Sequence, residues 1–392
     1  MVPTPRPDDG GDDDVRQAIV DTVRRFVANE VMPVAAALER EDRFPADIVE
    51  QMRTLGLFGV TIPERYGGLG LDLVTYAAVI EELAYGWMSL TGIVNTHTMV
   101  ASLLVAHGSD EQKQRWLPAM ATGERRGALS LSEPDAGSDT RNISCRAVRD
   151  GDEYVVNGTK AWVTNGERAA IVALATRTEE GISALIVEKE PGSAFEGIAV
   201  SKHVGKLGYR GVETVEMAYV DHRVPVGNLV GQAGRGLSQI LGVLEVGRIN
   251  IAARACGVAR AAFDAALAYA AQRTTFGKPI AEHQAIQLKL ADMATRLEAS
   301  RLLTKNAAER KEAGLRCDVE AGMAKLFASE TAFELATEAM RIHGGMGYTT
   351  DLPVERYFRD TPLMIIGEGT NEIQRLVIAR GLLARDRARR GL

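Results

Sequence analysis

The sequence predicts an α+β protein in three parts: a helical N-terminal domain, a small β-sheet domain, and a C-terminal antiparallel helical bundle. Three observations carry this. Apolar residues recur at helical spacing up to about residue 125 and again after Gly236. Between these stretches, short runs rich in β-branched and aromatic residues alternate with turn residues, as strands do. At 392 residues the chain is also too long for one ordinary core. The expected divisions are residues 1–13, an acidic mobile tail; 14–125, the first helical domain; 126–236, the sheet; and 237–392, the bundle.

The opening MVPTPRPDDGGDDD is acidic, with neither the apolar stretch of a signal peptide nor the arginines of a transit peptide. Helices are expected at 15–41, 45–55, 73–85 and 109–121, parted by breakers such as the glycines at 67–70. In the middle, YVV at 154–156 meets Asn157-Gly158, a strong hairpin signal, and returns through 161–164. Further strands are expected at 171–175, 184–187 and 214–220. After residue 236, Ile286, Leu290, Met293 and Leu297 draw an apolar stripe along one helix, and long helices with short breaks indicate antiparallel packing. Arg380, Arg385, Arg387, Arg389 and Arg390 suit a solvated helix C-terminus.

Composition excludes several classes. Hydrophobic residues make up 46% and charged residues 25%, a globular profile. Forty-six Lys and Arg stand against 52 Asp and Glu, a net charge of −6, so nucleic acid is not an expected partner. No apolar run approaches a membrane span, so no integral membrane association is expected. Cys145, Cys256 and Cys317 are odd in number and far apart, which points to reduced thiols and a cytoplasmic location. The six histidines show no metal-ligand spacing, so no metal is expected, and neither usual nucleotide cradle nor a serine elbow occurs.

The chemistry begins near the C-terminus. In MIIGEGTNEIQR, residues 364–375, one carboxylate sits between two glycines, behind apolar residues and ahead of a helix start. Thr370 or Asn371 can cap that helix, and Gln374 falls where a capping box places its third residue from Asn371. Desolvation raises the pKa of such a glutamate while helix amides lower it, and a general base can be made this way. A surface turn with an incidental Glu368 is the plainer reading of these residues alone.

Four other stretches join it: LSLSEPDAGSD at 129–139, KAWVTNG at 160–166, RTTFGKP at 273–279 with His283 and Gln284 beyond, and RIHGGMG at 341–347. Each alone has a structural explanation as a turn, a core Trp or a glycine cap. Together, in this order and followed by Glu368, they resemble the acyl-CoA dehydrogenase family of FAD-dependent flavoproteins, over nearly the whole chain after the acidic tail.

The resemblance implies roles. Leu129, Leu131, Ser132 and Gly137 match the strand and loop lining the flavin, with Ser138 touching both cofactor and CoA. Trp162, Val163 and Thr164 match the flavin face. Arg273, Phe276, Gln284, Arg341, Ile342, His343, Gly344 and Gly345 match positions that bind the pyrophosphate and adenosine, partly from a neighbouring subunit. Arg341 stands where many members carry Gln. Thr370, Asn371 and Glu372 match the helix start near the flavin phosphates, and Gly369, Glu245 and Arg248 fall on the substrate side. The C-terminal domain would be a four-helix bundle, the assembly a homotetramer built as a dimer of dimers, and the electron acceptor an electron-transferring flavoprotein. Glu368 would remove the α-proton of an acyl-CoA thioester while hydride leaves for flavin N5. The LGVLEVGRI segment at 241–249 looks most like the short-chain and branched-chain branches. In the isovaleryl-CoA branch the base precedes that segment's arginine, where this chain has Gly247. The alternatives are the same scaffold acting on an acyl-carrier-protein thioester, an oxygen-using flavin oxidase, and a non-catalytic helical binding protein.

Overall fold

The computed structural model describes residues 9–201 and 203–391. Six α-helices precede the sheet: α1 (Asp9–Phe26), α2 (Met32–Arg40), α3 (Ala46–Thr54), α4 (Leu73–Gly86), α5 (Met88–His107) and α6 (Asp110–Ala121). The expected mobile tail is in part helical: α1 starts at Asp9, and residues 1–8 lie outside the described residues. Asp72 caps α4 through the amides of Val74 and Thr75. Ser109 and Gln112 make a reciprocal capping box on α6.

Periodicity passed over α5. Buried on nearly every side, it shows no polar stripe for a sequence pattern to detect. Among the described residues it is the one helix long and apolar enough to cross a membrane, and 89% of its most apolar window is packed inside the protein.

The sheet comprises β1 (Gly127–Ser130), β2 (Arg146–Asp150), β3 (Glu153–Thr164), β4 (Ile171–Thr178), β5 (Gly181–Glu188), β6 (Ala194–Phe195), β7 (Ile198–Val200) and β8 (Thr214–Pro225). Their order is β1-β4-β2-β3-β8-β7-β6, with β5 on β4. Asn157-Gly158 is not a hairpin turn. β3 runs straight through it and pairs with β8, and the dipeptide forms a bulge between Val156 and Gly158. The Asn157 amide exchanges two 3.0 Å bonds with Asp221 across that bulge, and at Gly158, with φ 147°, a Cβ would come 2.6 Å from the Cys145 Cα. The tight reversal lies instead between β2 and β3, at Gly151.

After the sheet come α7 (Gly236–Gln272), a small hairpin of β9 (Thr274–Thr275) and β10 (Lys278–Pro279), then α8 (Gln284–Glu312), α9 (Asp318–His343), α10 (Val354–Ile366) and α11 (Asn371–Arg390). At 37 residues α7 is about 55 Å long. It is the axis of the molecule: α4, α5, α8, α9 and α10 all pack on it, and one apolar cluster runs from α1 to α10 through its buried alanines. Met293 and Leu297 of the expected α8 stripe are buried in that cluster, with Ile286 and Leu290 at its edge.

Candidate active site

The loop that carries Glu368 links α10 to α11. Thr370 is the cap, accepting the Ile373 amide at 3.3 Å, so Gln374 is not the third residue of a capping box. Its side-chain amide turns back instead and donates to the carbonyls of Glu368 (3.3 Å) and Gly369 (3.0 Å). From α9, the fully buried Lys325 ammonium donates to the carbonyls of Ile365 (3.2 Å) and Gly369 (3.0 Å) and to Asn371 Oδ1 (2.8 Å). One cation thus ties the end of α10, the loop and the start of α11 together. This clamp holds Glu368 in a left-handed backbone, φ 54°, which costs a non-glycine residue about 1–3 kcal/mol.

The carboxylate points inward. Oε1 accepts a short hydrogen bond from Asn95 Nδ2 of α5. Oε2 is enclosed and has no partner among the described residues. It faces Gly247 of α7, where an added Cβ would overlap Oε2 and sit 3.0 Å from both Glu368 Cδ and Met99 Sδ. Burial pushes the Glu368 pKa up, opposed by Arg254, the Asn95 bond, Lys325 and Arg248. Arg248, the expected substrate-side arginine, is therefore beside the base. Glu245 is not: its carboxylate is held by Lys311 Nζ at 2.6 Å and by the Cys317 thiol at 3.4 Å.

The sheet carries two more of the expected stretches. Lys160, wholly buried on β3, donates to Leu131 O (2.9 Å) and to Glu133 (2.8 Å). Glu133 also accepts the amides of Ser144 (2.6 Å) and Cys145 (2.9 Å). Breaking such a buried pair costs roughly 3–5 kcal/mol, so this knot anchors the 129–138 segment. Ala161 donates to Ser132 O at 2.9 Å and brings the two expected stretches side by side. A bulge between Lys160 and Val163 then turns Trp162 outward, φ 60° and 64% exposed, while Val163 stays in the sheet core. Beyond half-buried Thr164, Asn165 ties the strand end to α5 through Ile93 O and Thr96 Oγ1, each at 3.0 Å. Leu129, Leu131 and Ser132 are part-buried, whereas Gly137 and Ser138 are exposed.

The remaining expected residues gather elsewhere. His343 stacks on Tyr269 near the end of α7 with ring centroids 4.2 Å apart, and Phe276 lies edge-on to His283 at 6.1 Å. Arg273 and Gln284 are exposed, and Phe276 is 96% exposed. Arg341 pairs with Glu338, Ile342 is buried, and the backbone of Gly344 and Gly345 is open on the side a Cβ would take. Asn371 is fully buried and bonded to Lys325 and Ser329; Glu372 is exposed.

Sequence reasoning missed Asn95, Lys325, Arg254 and Tyr209. Asn95 lies on the overlooked helix. The signal for Lys325 and Arg254 was available: a Lys and an Arg inside apolar helical runs are charges that need a reason.

The helix–sheet–helix frame encloses the Glu368 carboxylate, and Tyr209, hydrogen-bonded to Thr164 and within the electrostatic reach of Glu368, connects it to the strand end. The chain belongs to the acyl-CoA dehydrogenase family. Profiles described as that family's N-terminal, middle and C-terminal domains match residues 13–124, 128–221 and 234–383. An acyl-CoA dehydrogenase of Bacillus subtilis is 43% identical over 92% of this chain and 96% of its own. A short-chain specific acyl-CoA dehydrogenase of Clostridium acetobutylicum is 42% identical over 91% and 95%. The solved butyryl-CoA dehydrogenase of Megasphaera elsdenii superposes with a TM-score of 0.91 at 32% identity, covering 98% of this chain and 100% of that one.

The family is generally FAD-dependent, and the residues present fit that group. The outward indole of Trp162 offers a stacking face, with the part-buried Thr164 and Ser132 supplying hydroxyls on the same strand end and on the loop that Ala161 ties to it.

Proposed function

We propose that this protein converts an acyl-CoA thioester to the trans-2-enoyl-CoA with tightly bound FAD, and passes the electrons to an electron-transferring flavoprotein in the cytoplasm. The observation that carries this reading is the Glu368 carboxylate, enclosed, with a raised pKa and one unpartnered oxygen. Bound FAD supplies the acceptor for the hydride that leaves the β-carbon. The chain does the rest. Oε2 takes the α-proton, while Asn95 and the clamp at Lys325 hold the carboxylate in place. No backbone bond among the described residues claims the Glu368 amide, which leaves it to polarise the thioester oxygen as enolate charge develops. Trp162, Thr164 and Ser132 would hold the flavin ring, and Gly247 keeps the space beside the base clear. The three cysteines are free and buried, in keeping with a reducing compartment.

Because the base must be ionised, kcat/KM should fall on acidification through a limb above the 4.5 of an ordinary Glu. Lys325→Met removes one of the cations that lower that pKa and should move the limb to higher pH. A pH–rate profile that drops uniformly without moving would limit Lys325 to a structural part.

The isolated protein should be yellow and a homotetramer. Phe276, Leu288, Leu302 and Leu383 are all more than half exposed on the single chain, which supports helical faces covered by other copies. Light scattering at one subunit's mass with full FAD content would count against it. Oxygen consumption during turnover would favour the oxidase alternative, and turnover of an acyl-carrier-protein thioester alone would favour the biosynthetic one.

A further inference from the structure

Arg254 on α7 is 2% exposed and forms no ion pair among the described residues. Half-buried arginines of this protein are paired, Arg260 with Glu81 and Glu82 and Arg359 with Glu39 and Glu355, whereas the buried Arg248, Arg254 and Arg356 form no ion pair among the described residues, and Arg254 is the most enclosed of the three. Arg254 donates from Nη2 to Asn250 Oδ1 at 2.9 Å, hydrogen-bonds the hydroxyl of Tyr209, whose ring lies 5.6 Å from its Cζ, and has no partner for Nε among the described residues. A buried charge without a counter-charge is costly by several kcal/mol unless something else meets it.

Its surroundings are polar where a site for a hydrocarbon tail would be apolar. Asn250 donates to the Tyr76 hydroxyl at 2.8 Å, and both residues are fully buried. The Tyr209 hydroxyl occupies the space that a Cβ on Gly92 would fill. Tyr76, Tyr209 and Arg254 all lie within the electrostatic reach of Glu368. Glu368 does not neutralise Arg254 directly, and it already has Lys325 and Arg248 beside it. Three cations therefore share one carboxylate.

Position completes the case. Arg254 follows Gly247 by seven residues, about 20° short of two full turns, so both share one face of α7. Helical side chains lean toward the N-terminus, and the bond to Asn250 shows Arg254 doing so. The guanidinium then lies only about 4–5 Å further along the axis than Gly247. A short acyl chain whose α-carbon sits at Glu368 Oε2, and which runs along α7, ends there. A methyl terminus would leave the guanidinium desolvated; a carboxylate can take two of its N–H donors.

We propose that Arg254 determines specificity by pairing with a carboxylate at the far end of the acyl group, so that the preferred substrate is the CoA thioester of a short dicarboxylic acid. This rests on Glu368 being the α-proton base. The distal carboxylate is bound and leaves unchanged in that step.

The test uses the FAD-loaded enzyme and three five-carbon thioesters: glutaryl-CoA, its ω-methyl ester, and pentanoyl-CoA. Anaerobic flavin bleaching should give glutaryl-CoA a kcat/KM at least about tenfold above both neutral chains. Arg254→Gln should lower the glutaryl-CoA value ~10²-fold, mostly in KM, and abolish the preference for glutaryl-CoA over pentanoyl-CoA, both read above the acid limb because losing this cation also raises the Glu368 pKa. Arg254→Lys should restore part of the loss. Wild-type preference for pentanoyl-CoA, or an equal fall for both substrates in Arg254→Gln, overturns the proposal. The ester comparison needs no variant and decides the matter if Arg254→Gln does not fold. Bleaching by none of the three, nor by any other acyl-CoA, refutes the dehydrogenase reading itself, whereas bleaching by pentanoyl-CoA in preference refutes only the role of Arg254.

Discussion

Glu368→Gln is expected to keep its FAD and still bind acyl-CoA, yet to reduce the flavin ~10²–10⁴-fold more slowly, the usual loss when a general base is removed. The amide has nearly the carboxylate's shape, so its carbonyl can still accept from Asn95 Nδ2. The rest of the clamp is backbone and Lys325, which the substitution does not touch. What is lost is the ability of the atom facing Gly247 to take a proton at neutral pH. Anaerobic mixing with the best substrate measures this directly. Bleaching at the wild-type rate would remove Glu368 from the mechanism.

Gly247 gives the second large effect. Gly247→Ala alone should nearly abolish turnover, because its Cβ overlaps Oε2 and crowds Glu368 Cδ and Met99 Sδ. The carboxylate has to swing away, with overpacking of about 1–3 kcal/mol added to the lost alignment. Glu368→Gly should also be nearly inactive. Combining it with Gly247→Glu should restore measurable activity, since the new carboxylate starts from α7 and enters the space the old one left. Recovery should be partial: the transplanted group lacks the Asn95 bond and the Lys325 clamp, and small misplacements of a base are costly. Activity retained in Glu368→Gly but abolished by Glu245→Gln would sink this account. The Lys311 and Cys317 contacts of Glu245 argue against that outcome.

Legibility in the sequence followed the range of the forces involved. The glycines around Glu368 and the stripe on α8 act over a few residues and were readable. Asn157-Gly158 misled because the same dipeptide serves a turn or a bulge, and the partner strand carrying Asp221 decides between them. The helix α5 was missed because burial on all sides erases the periodicity that marks a helix. Gln374 has the composition of a capping box, yet it bonds the loop carbonyls that the left-handed Glu368 turns toward it.

By itself, then, the sequence determined the three-part architecture, the glutamate set between two glycines at 367–369, and the turn-rich stretches at 129–139 and 160–166. These depend on hydrophobic period and turn chemistry, which are written locally. Only the tertiary structure decided what surrounds Glu368: that Asn95, 273 residues away, bonds it, that Gly247 lies beside its carboxylate, and that Arg254 and Lys325 share its enclosure. Such contacts depend on the rotation and register of α5, α7 and α9 against one another. Helices buried on nearly every face carry no pattern that specifies which side chain turns toward which neighbour; close packing of the whole core selects it.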